Sequence, residues 1–182
     1  KKMGKPIGRS YFEQREFTSQ FEAAERLAEK YQLTRADTDN FGLRSQTHAK
    51  VAIENGHFDS QIIEIEAPEM DDDFERTDTM LHVTKDEVPR DTSLEALAGL
   101  KSVAREDGVH TAGTSSQIAD GAAAVLMMSA SKAKELGLTP MAVVRASALV
   151  GCDPVMMLEG PIPATEKMLK QTGLNIADID VF

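Results

Sequence analysis

The sequence predicts an α/β protein, and three observations lead there. First, apolar and amphipathic runs alternate after Gly108: AAAVLMMS, SASKAKELGL, MAVVRASALVG, PATEKMLKQTGL and DIDVF follow one another with few residues between them. Read as strand, helix, strand, helix, strand, they build a layer of the α/β kind. Second, the residues before Gly108 are helical and loop-rich instead. This change of character sets a boundary near residue 109 and divides the chain into 1–108 and 109–182. Third, 182 residues with 41% hydrophobic and 27% charged side chains suit one or two globular domains, and no fixed-period repeat or low-complexity tract appears.

Each element has a local reason. TSQFEAAERLAEKY is an amphipathic helix: Ser19 and Glu22 have capping-box spacing, and Phe21, Ala24, Leu27 or Ala28, and Tyr31 follow the helical period. A second box, Thr34 with Asp37, opens RADTDNFGLRSQTHAKVAIENG, and the pair Asn55-Gly56 stops it. The short connection between these helices predicts a helical hairpin. QIIEIEA alternates polar and apolar residues as a strand does. From Pro68 to Arg90 the chain reads mostly as loop, broken by the apolar MLHV, and Thr92 with Glu95 caps a short helix, SLEALAGLKSV. In the second half, AAAVLMMS reads as a buried strand or part of a helix, because periodicity does not separate the two. Gly137 and Gly173 end the two helices there, and DIDVF begins another apolar strand.

Composition narrows the function classes. A net charge of -10 argues against a nucleic-acid binder, which carries a basic stripe. A local basic cluster, KKMGKPIGR with Arg15 close behind, can still hold an anion. The acidic EMDDDFE reads as a solvated loop, since its spacing is not that of a calcium loop. One cysteine leaves no internal disulfide and agrees with a reducing compartment. No apolar run reaches membrane-spanning length and no signal-peptide pattern appears, so the expectation is a cytoplasmic, non-membrane protein. The sequence starts at KKMGKP and stops within the apolar DIDVF, as a piece of a longer chain does.

No complete catalytic set is readable. Cys152, in LVGCDPVMM, has an aspartate beside it, which raises a thiol pKa; it reads as a small residue where a strand meets a turn. His48, His57, His82 and His110 have no metal-ligand spacing with Cys, Asp or Glu and read as surface or helix-end residues. Neither a G-x-S-x-G elbow nor a phosphate loop of the G-x-x-x-x-G-K type is present. The best candidate for ligand contact is HTAGTSSQIADGAAAVLMM. Ser115 and Ser116 offer hydroxyls, and Gly113 and Gly121 permit a tight turn and close backbone approach. An equal alternative is a plain turn, with Asp120 capping the next element.

At this stretch the chain resembles a known family. Residues 110–182, from HTAGTSSQIADG to DIDVF, look like the start of the C-terminal half of a thiolase, an acetyl-CoA acyltransferase. Upstream, FTSQFEAAERLAEKYQLTRADTDNFGLRSQTHAKVAIENGHF and DEVPRDTSLEALAGLKSVAREDG are similar to the loop domain that lies over bound CoA in that family. The resemblance is collinear over nearly the whole chain. It implies a layered α/β thiolase fold present in part: a helical and loop-rich domain with the end of the N-terminal half, then the first strands and helices of the C-terminal half. The resemblance also implies that the nucleophilic cysteine falls before residue 1, and the catalytic histidine and second cysteine after residue 182.

Carried over residue by residue, Ser116 matches the serine that hydrogen-bonds the pantetheine part of CoA, and Arg90 in DEVPR matches an arginine that approaches its nucleotide end. Met3 and Gly4 resemble the segment entering the loop domain. Cys152 matches neither catalytic cysteine, and His57 is followed by phenylalanine rather than proline, so it is not the catalytic histidine. Against the family pattern N-A-S-G-x-N-D-G, this chain has Thr114, Ala119 and, after the serine, Gln117.

The implied chemistry is thiolytic cleavage of 3-ketoacyl-CoA through a cysteine acyl-enzyme, or the reverse condensation, with CoA and acyl-CoA as substrates. No prosthetic group and no metal are implied. The 182 residues alone are expected to bind CoA elements and to be inactive, and the complete protein to form a homodimer or tetramer. Two rivals follow: a non-catalytic or lipid-transfer member of the same superfamily, and an acidic interaction domain unrelated to CoA.

Overall fold

The computed structural model describes residues 7–182. The Met3 and Gly4 assignment and most of the basic KKMGKPIGR cluster therefore lie outside the described residues. The chain packs into two compact units: the described residues up to Gln32 together with Asp120–Phe182, and Leu33–Ala119. That division follows packing, whereas the boundary near 109 follows sequence character.

In the first unit, α1 (Arg9–Gln14) leads to α2 (Gln20–Tyr31), capped as its sequence predicts: the Ser19 hydroxyl accepts the Glu22 amide. Helix α2 stops without glycine or proline, because Gln32 takes the left-handed conformation at φ 55°. Ala23 and Ala28 are buried, but Phe21 and Tyr31, expected on the apolar face, are exposed. The Thr18 hydroxyl donates to the Val155 carbonyl at 3.0 Å, and Lys30 pairs with Glu159. The Asp153 carboxylate accepts the amides of Met156 and Val155, which hold it below the usual carboxylate range. Two further helices, α5 (Ala130–Glu135) and α6 (Pro161–Thr172), end beside Gly137 and Gly173, both at positive φ, as expected. A short 3-10 turn, Ile176–Asp178, follows.

The second unit is built on α3 (Arg35–Glu54). The full Thr34–Asp37 capping box opens it, and Asn55 with Gly56 at φ 67° closes it. Helix α3 packs on α4 (Leu94–Ala98) and on the 3-10 turn Ala112–Thr114. The two helices expected to pair as a hairpin fall in different units, and α3 finds its packing partners within its own. Arg35 supports it: its guanidinium pairs with Asp39 and donates to the carbonyls of Leu97 (2.7 Å) and Leu100 (3.0 Å). The cap of α4 is Ser93, one residue later than expected, whose hydroxyl accepts the Ala96 amide.

The segment expected to be mostly loop holds a strand. β1 (Ile65–Met70) pairs antiparallel with β2 (Arg76–Val83), opposing Glu66 to His82 and Pro68 to Met80. The acidic run is the turn between them: the Asp71 carboxylate accepts the amides of Asp73 and Glu75, and Phe74 lies at φ 61°. Short-range polarity hid the strand because β2 is almost entirely solvated.

Residues 122–129, read as a buried strand or part of a helix, and residues 141–151 and 178–182, read as strands, carry no hydrogen-bonded strand in this structure. Val125, Leu126, Val143, Val144 and Leu149 are 77% to 91% exposed. The physical reason is that a strand is completed by a neighbour, and none of these segments pairs with another among the described residues. Among the described residues, no helix is long and apolar enough to cross a membrane.

Candidate functional site

The stretch that begins at His110 is anchored before it becomes free. Thr111 is fully buried. Its hydroxyl accepts the Gly113 amide at 3.1 Å, its amide donates to the Thr114 hydroxyl at 3.1 Å, and Ser102 forms a β-bridge to it. On the helix side, the Thr38 hydroxyl donates to the Val109 carbonyl at 2.8 Å. Gly42 of α3 and Gly113 of the turn approach so closely that a Cβ on Gly42 would lie 2.8 Å from the Gly113 carbonyl oxygen. Two glycines therefore let α3 and the turn touch through their backbones.

The two serines of the turn separate in role. Ser115 is half-buried and donates to the Thr111 carbonyl at 2.8 Å, so it closes the turn. Ser116 is exposed and makes only a long 3.3 Å contact to the Gln117 carbonyl, leaving its hydroxyl open to exchange partners. Asp120 caps no helix: α5 is capped by Ser129, whose hydroxyl accepts the Lys132 amide.

Arg90 reaches the same turn from the segment after β2. The Asp86 carboxylate accepts the Val88 amide, and Pro89 restricts the backbone just before Arg90. Helix α3 then grips the segment with two side chains one turn apart. Gln46 Oε1 accepts the Arg90 amide at 3.1 Å, and Lys50 Nζ pairs with Asp91 at 2.7 Å. Asp91, foremost by hydrogen bonding, raises the pKa of Lys50. The Arg90 guanidinium reaches across to the turn, where Nη2 donates to Gln117 Oε1 at 2.6 Å.

Arg90 and Ser116, separated by 26 positions, are thus linked through one residue, Gln117. Among the described residues no carboxylate pairs with Arg90, so its charge faces solvent with only a neutral amide on it. An exposed guanidinium on the Gln117 side chain and an open hydroxyl at its backbone suit a ligand with an anionic part and a neutral polar part. Gln46 and Lys50 were invisible as site residues in the sequence. Their four-residue spacing marks one helix face, but not what that face holds.

The other candidates stay apart. Cys152 is exposed in the first unit, its Sγ 3.4 Å from the Met157 carbonyl oxygen. It borders a shallow recess of 270 Å³ with Lys30, Glu159 and Glu166, where no histidine stands to act as a base. His48, on α3, and His57, just after it, are both exposed. His82 is exposed on the hairpin, where its ring lies between Glu66 (2.5 Å) and Glu64 (3.1 Å). Hydrogen bonding to Glu66 first and Glu64 second raises its pKa. Among the described residues, no group of His, Cys, Asp and Glu is arranged to hold a metal ion.

Comparison with known proteins gives a consistent result. The family model for the thiolase N-terminal domain matches residues 15–131, and that for the thiolase C-terminal domain matches residues 138–182. The chain is 48% identical over 160 residues to a 3-ketoacyl-CoA thiolase of Marinomonas sp. (strain MWYL1), covering 87% of this chain and 39% of the relative. It is 45% identical over 159 residues to an acetyl-CoA acetyltransferase of Pseudomonas aeruginosa, with 87% and 39% covered. Among solved structures, human mitochondrial 3-ketoacyl-CoA thiolase superposes with a TM-score of 0.77 at 35% identity, over 88% of this chain and 39% of that one. The acetyl-CoA acetyltransferase from Syntrophomonas wolfei gives 0.72 at 29% identity, over 98% and 45%. The chain therefore spans well under half the length of the relatives it matches.

Proposed function

The chain belongs to the thiolase family, and on that basis we propose that the complete protein is an acyltransferase of fatty-acid metabolism acting on CoA thioesters. It cleaves 3-ketoacyl-CoA with CoA, or condenses two acyl-CoAs in reverse. The observation that carries this reading is the collinear match of both family models across residues 15–131 and 138–182. The relatives named above are 3-ketoacyl-CoA thiolases and acetyl-CoA acetyltransferases, in keeping with one chemistry run in two directions.

In this proposal a cysteine thiolate attacks the 3-keto carbonyl and becomes acylated. Acetyl-CoA leaves as an enolate, whose developing charge needs hydrogen-bond donors already in place. The thiol of a second CoA then takes the acyl group. The nucleophile and its acid-base partners are assigned to parts of the protein beyond these 182 residues, and Cys152 has no role in bond-breaking.

The 182 residues contribute CoA binding. Ser116 hydrogen-bonds the pantetheine arm and Arg90 faces the anionic nucleotide end; the exposure of both side chains and their shared partner Gln117 are in keeping with these roles. Both act by holding the substrate, so they affect ground state and transition state alike. In the complete protein, Ser116→Ala is expected to raise KM for CoA substrates about three- to tenfold with kcat nearly unchanged, the loss of one modest hydrogen bond. An unchanged KM with a collapsed kcat rejects the assignment. A complete protein that binds CoA but turns nothing over is instead a non-catalytic member of the superfamily. The proposed assembly, a homodimer or tetramer, is read from the mass of the complete protein in solution.

A further inference from the structure

We infer that Gln117 is a positioning residue, which pre-sets the Arg90 guanidinium for the anionic nucleotide end of CoA and so tunes affinity for the whole CoA molecule over its thiol arm. This rests on the proposed CoA-binding roles of Arg90 and Ser116. Arginine is a flexible residue, whose long side chain loses much rotamer entropy when a ligand captures it. Here that loss occurs before binding. The Arg90 backbone is held by Gln46 Oε1 at 3.1 Å and its guanidinium by Gln117 Oε1 at 2.6 Å. Gln117 lies two residues after Ser115, which closes the turn anchored by the buried Thr111.

The side-chain type matters as much as its reach. A glutamine carbonyl takes one N–H of the guanidinium and leaves the rest of the fork for anionic oxygens. Being neutral, it orients the cation without cancelling its charge. A carboxylate at the same point would pair with Arg90 and compete with a phosphate. The long 3.3 Å contact from the Ser116 hydroxyl goes to the Gln117 backbone carbonyl, which an alanine at this position keeps.

The test is steady-state kinetics of the complete protein with two acyl acceptors, CoA and pantetheine, the second lacking the nucleotide. Gln117→Ala is expected to raise KM for CoA about three- to tenfold, with KM for pantetheine and kcat unchanged. In an Arg90→Ala background the same substitution should have no further effect on either acceptor. Gln117→Glu, which is isosteric, should raise KM for CoA more than alanine does, and serves if the alanine variant folds poorly. Equal KM increases for CoA and pantetheine, or an undiminished effect without Arg90, overturn the inference and leave Gln117 a residue of loop packing. If Arg90→Ala and Ser116→Ala themselves leave KM for CoA unchanged, the CoA-site reading fails and the inference falls with it. Failure of Gln117→Ala alone leaves that reading standing.

Discussion

Among single residues, two glycines decide whether the Ser116 turn sits where it does. A Cβ on Gly42 meets a backbone carbonyl oxygen at 2.8 Å, and no rotamer change can relieve that contact. A Cβ on Gly113 meets Leu97 Cδ2 at 2.3 Å and Leu100 Cδ1 at 3.1 Å, side-chain atoms that can shift in part. Overpacking of this kind costs about 1 to 3 kcal/mol. Gly42→Ala is therefore expected to lower the urea midpoint of the complete protein, and more than Gly113→Ala does. Equal or absent shifts would show that α3 and the turn separate freely. Neither glycine stands out in the sequence: Gly42 lies in mid-helix, where glycine merely weakens a prediction, and its partner is 71 residues away.

Among the elements, the hairpin carries a device that depends on pH. Glu66 lies opposite His82 in the ladder, and Glu64 lies diagonally, so the imidazole is held by a carboxylate on each ring nitrogen. The folded state raises the pKa of His82 above its ordinary 6.5. The stabilisation is thus fully present below pH 6.5 and is lost as pH rises through the raised folded value. In the complete protein, His82→Gln should speed amide exchange across β1 and β2 relative to wild type at about pH 6, after correction for intrinsic rates. That difference should shrink at about pH 9, well above the histidine range; a difference constant across this span would remove His82 from any such role. Elements also show what local sequence carries well. The caps at Ser19 and Thr34 and the stops at Gly56, Gly137 and Gly173 were legible because each is completed within a few residues. β2 and the pairing of Glu66 with His82 were not, since register is a relation between two segments.

In the molecule as a whole, exposed apolar surface is the dominant feature. Leu97 is the only large aliphatic side chain among the buried hydrophobic residues described, beside Ala23, Ala28 and Ala133. Meanwhile Val125, Leu126, Val143, Val144 and Leu149 stand mostly in solvent. Related thiolases are more than twice as long as this chain, which covers 39% of the human mitochondrial structure. If the remainder of a thiolase core covers these segments, amide exchange over residues 121–128 and 142–150 should be slow in the complete protein and close to unprotected in the 182-residue chain. Equal exchange in both would argue that they are surface segments in either setting.

Linear order alone was enough for the family, the succession of the helices, most of their ends, and the candidacy of Ser116 and Arg90. These rest on local chemistry or on motifs that survive in linear order. Three-dimensional packing was needed to show that Arg90 and Ser116 meet at Gln117, that Gln46 and Lys50 of α3 hold the arginine segment, and that the acidic run is a hairpin turn facing a second strand. A hydrogen bond between positions 90 and 117 has no signature in either neighbourhood. It exists because two glycines let a helix and a turn close on each other, and that is a property of packing.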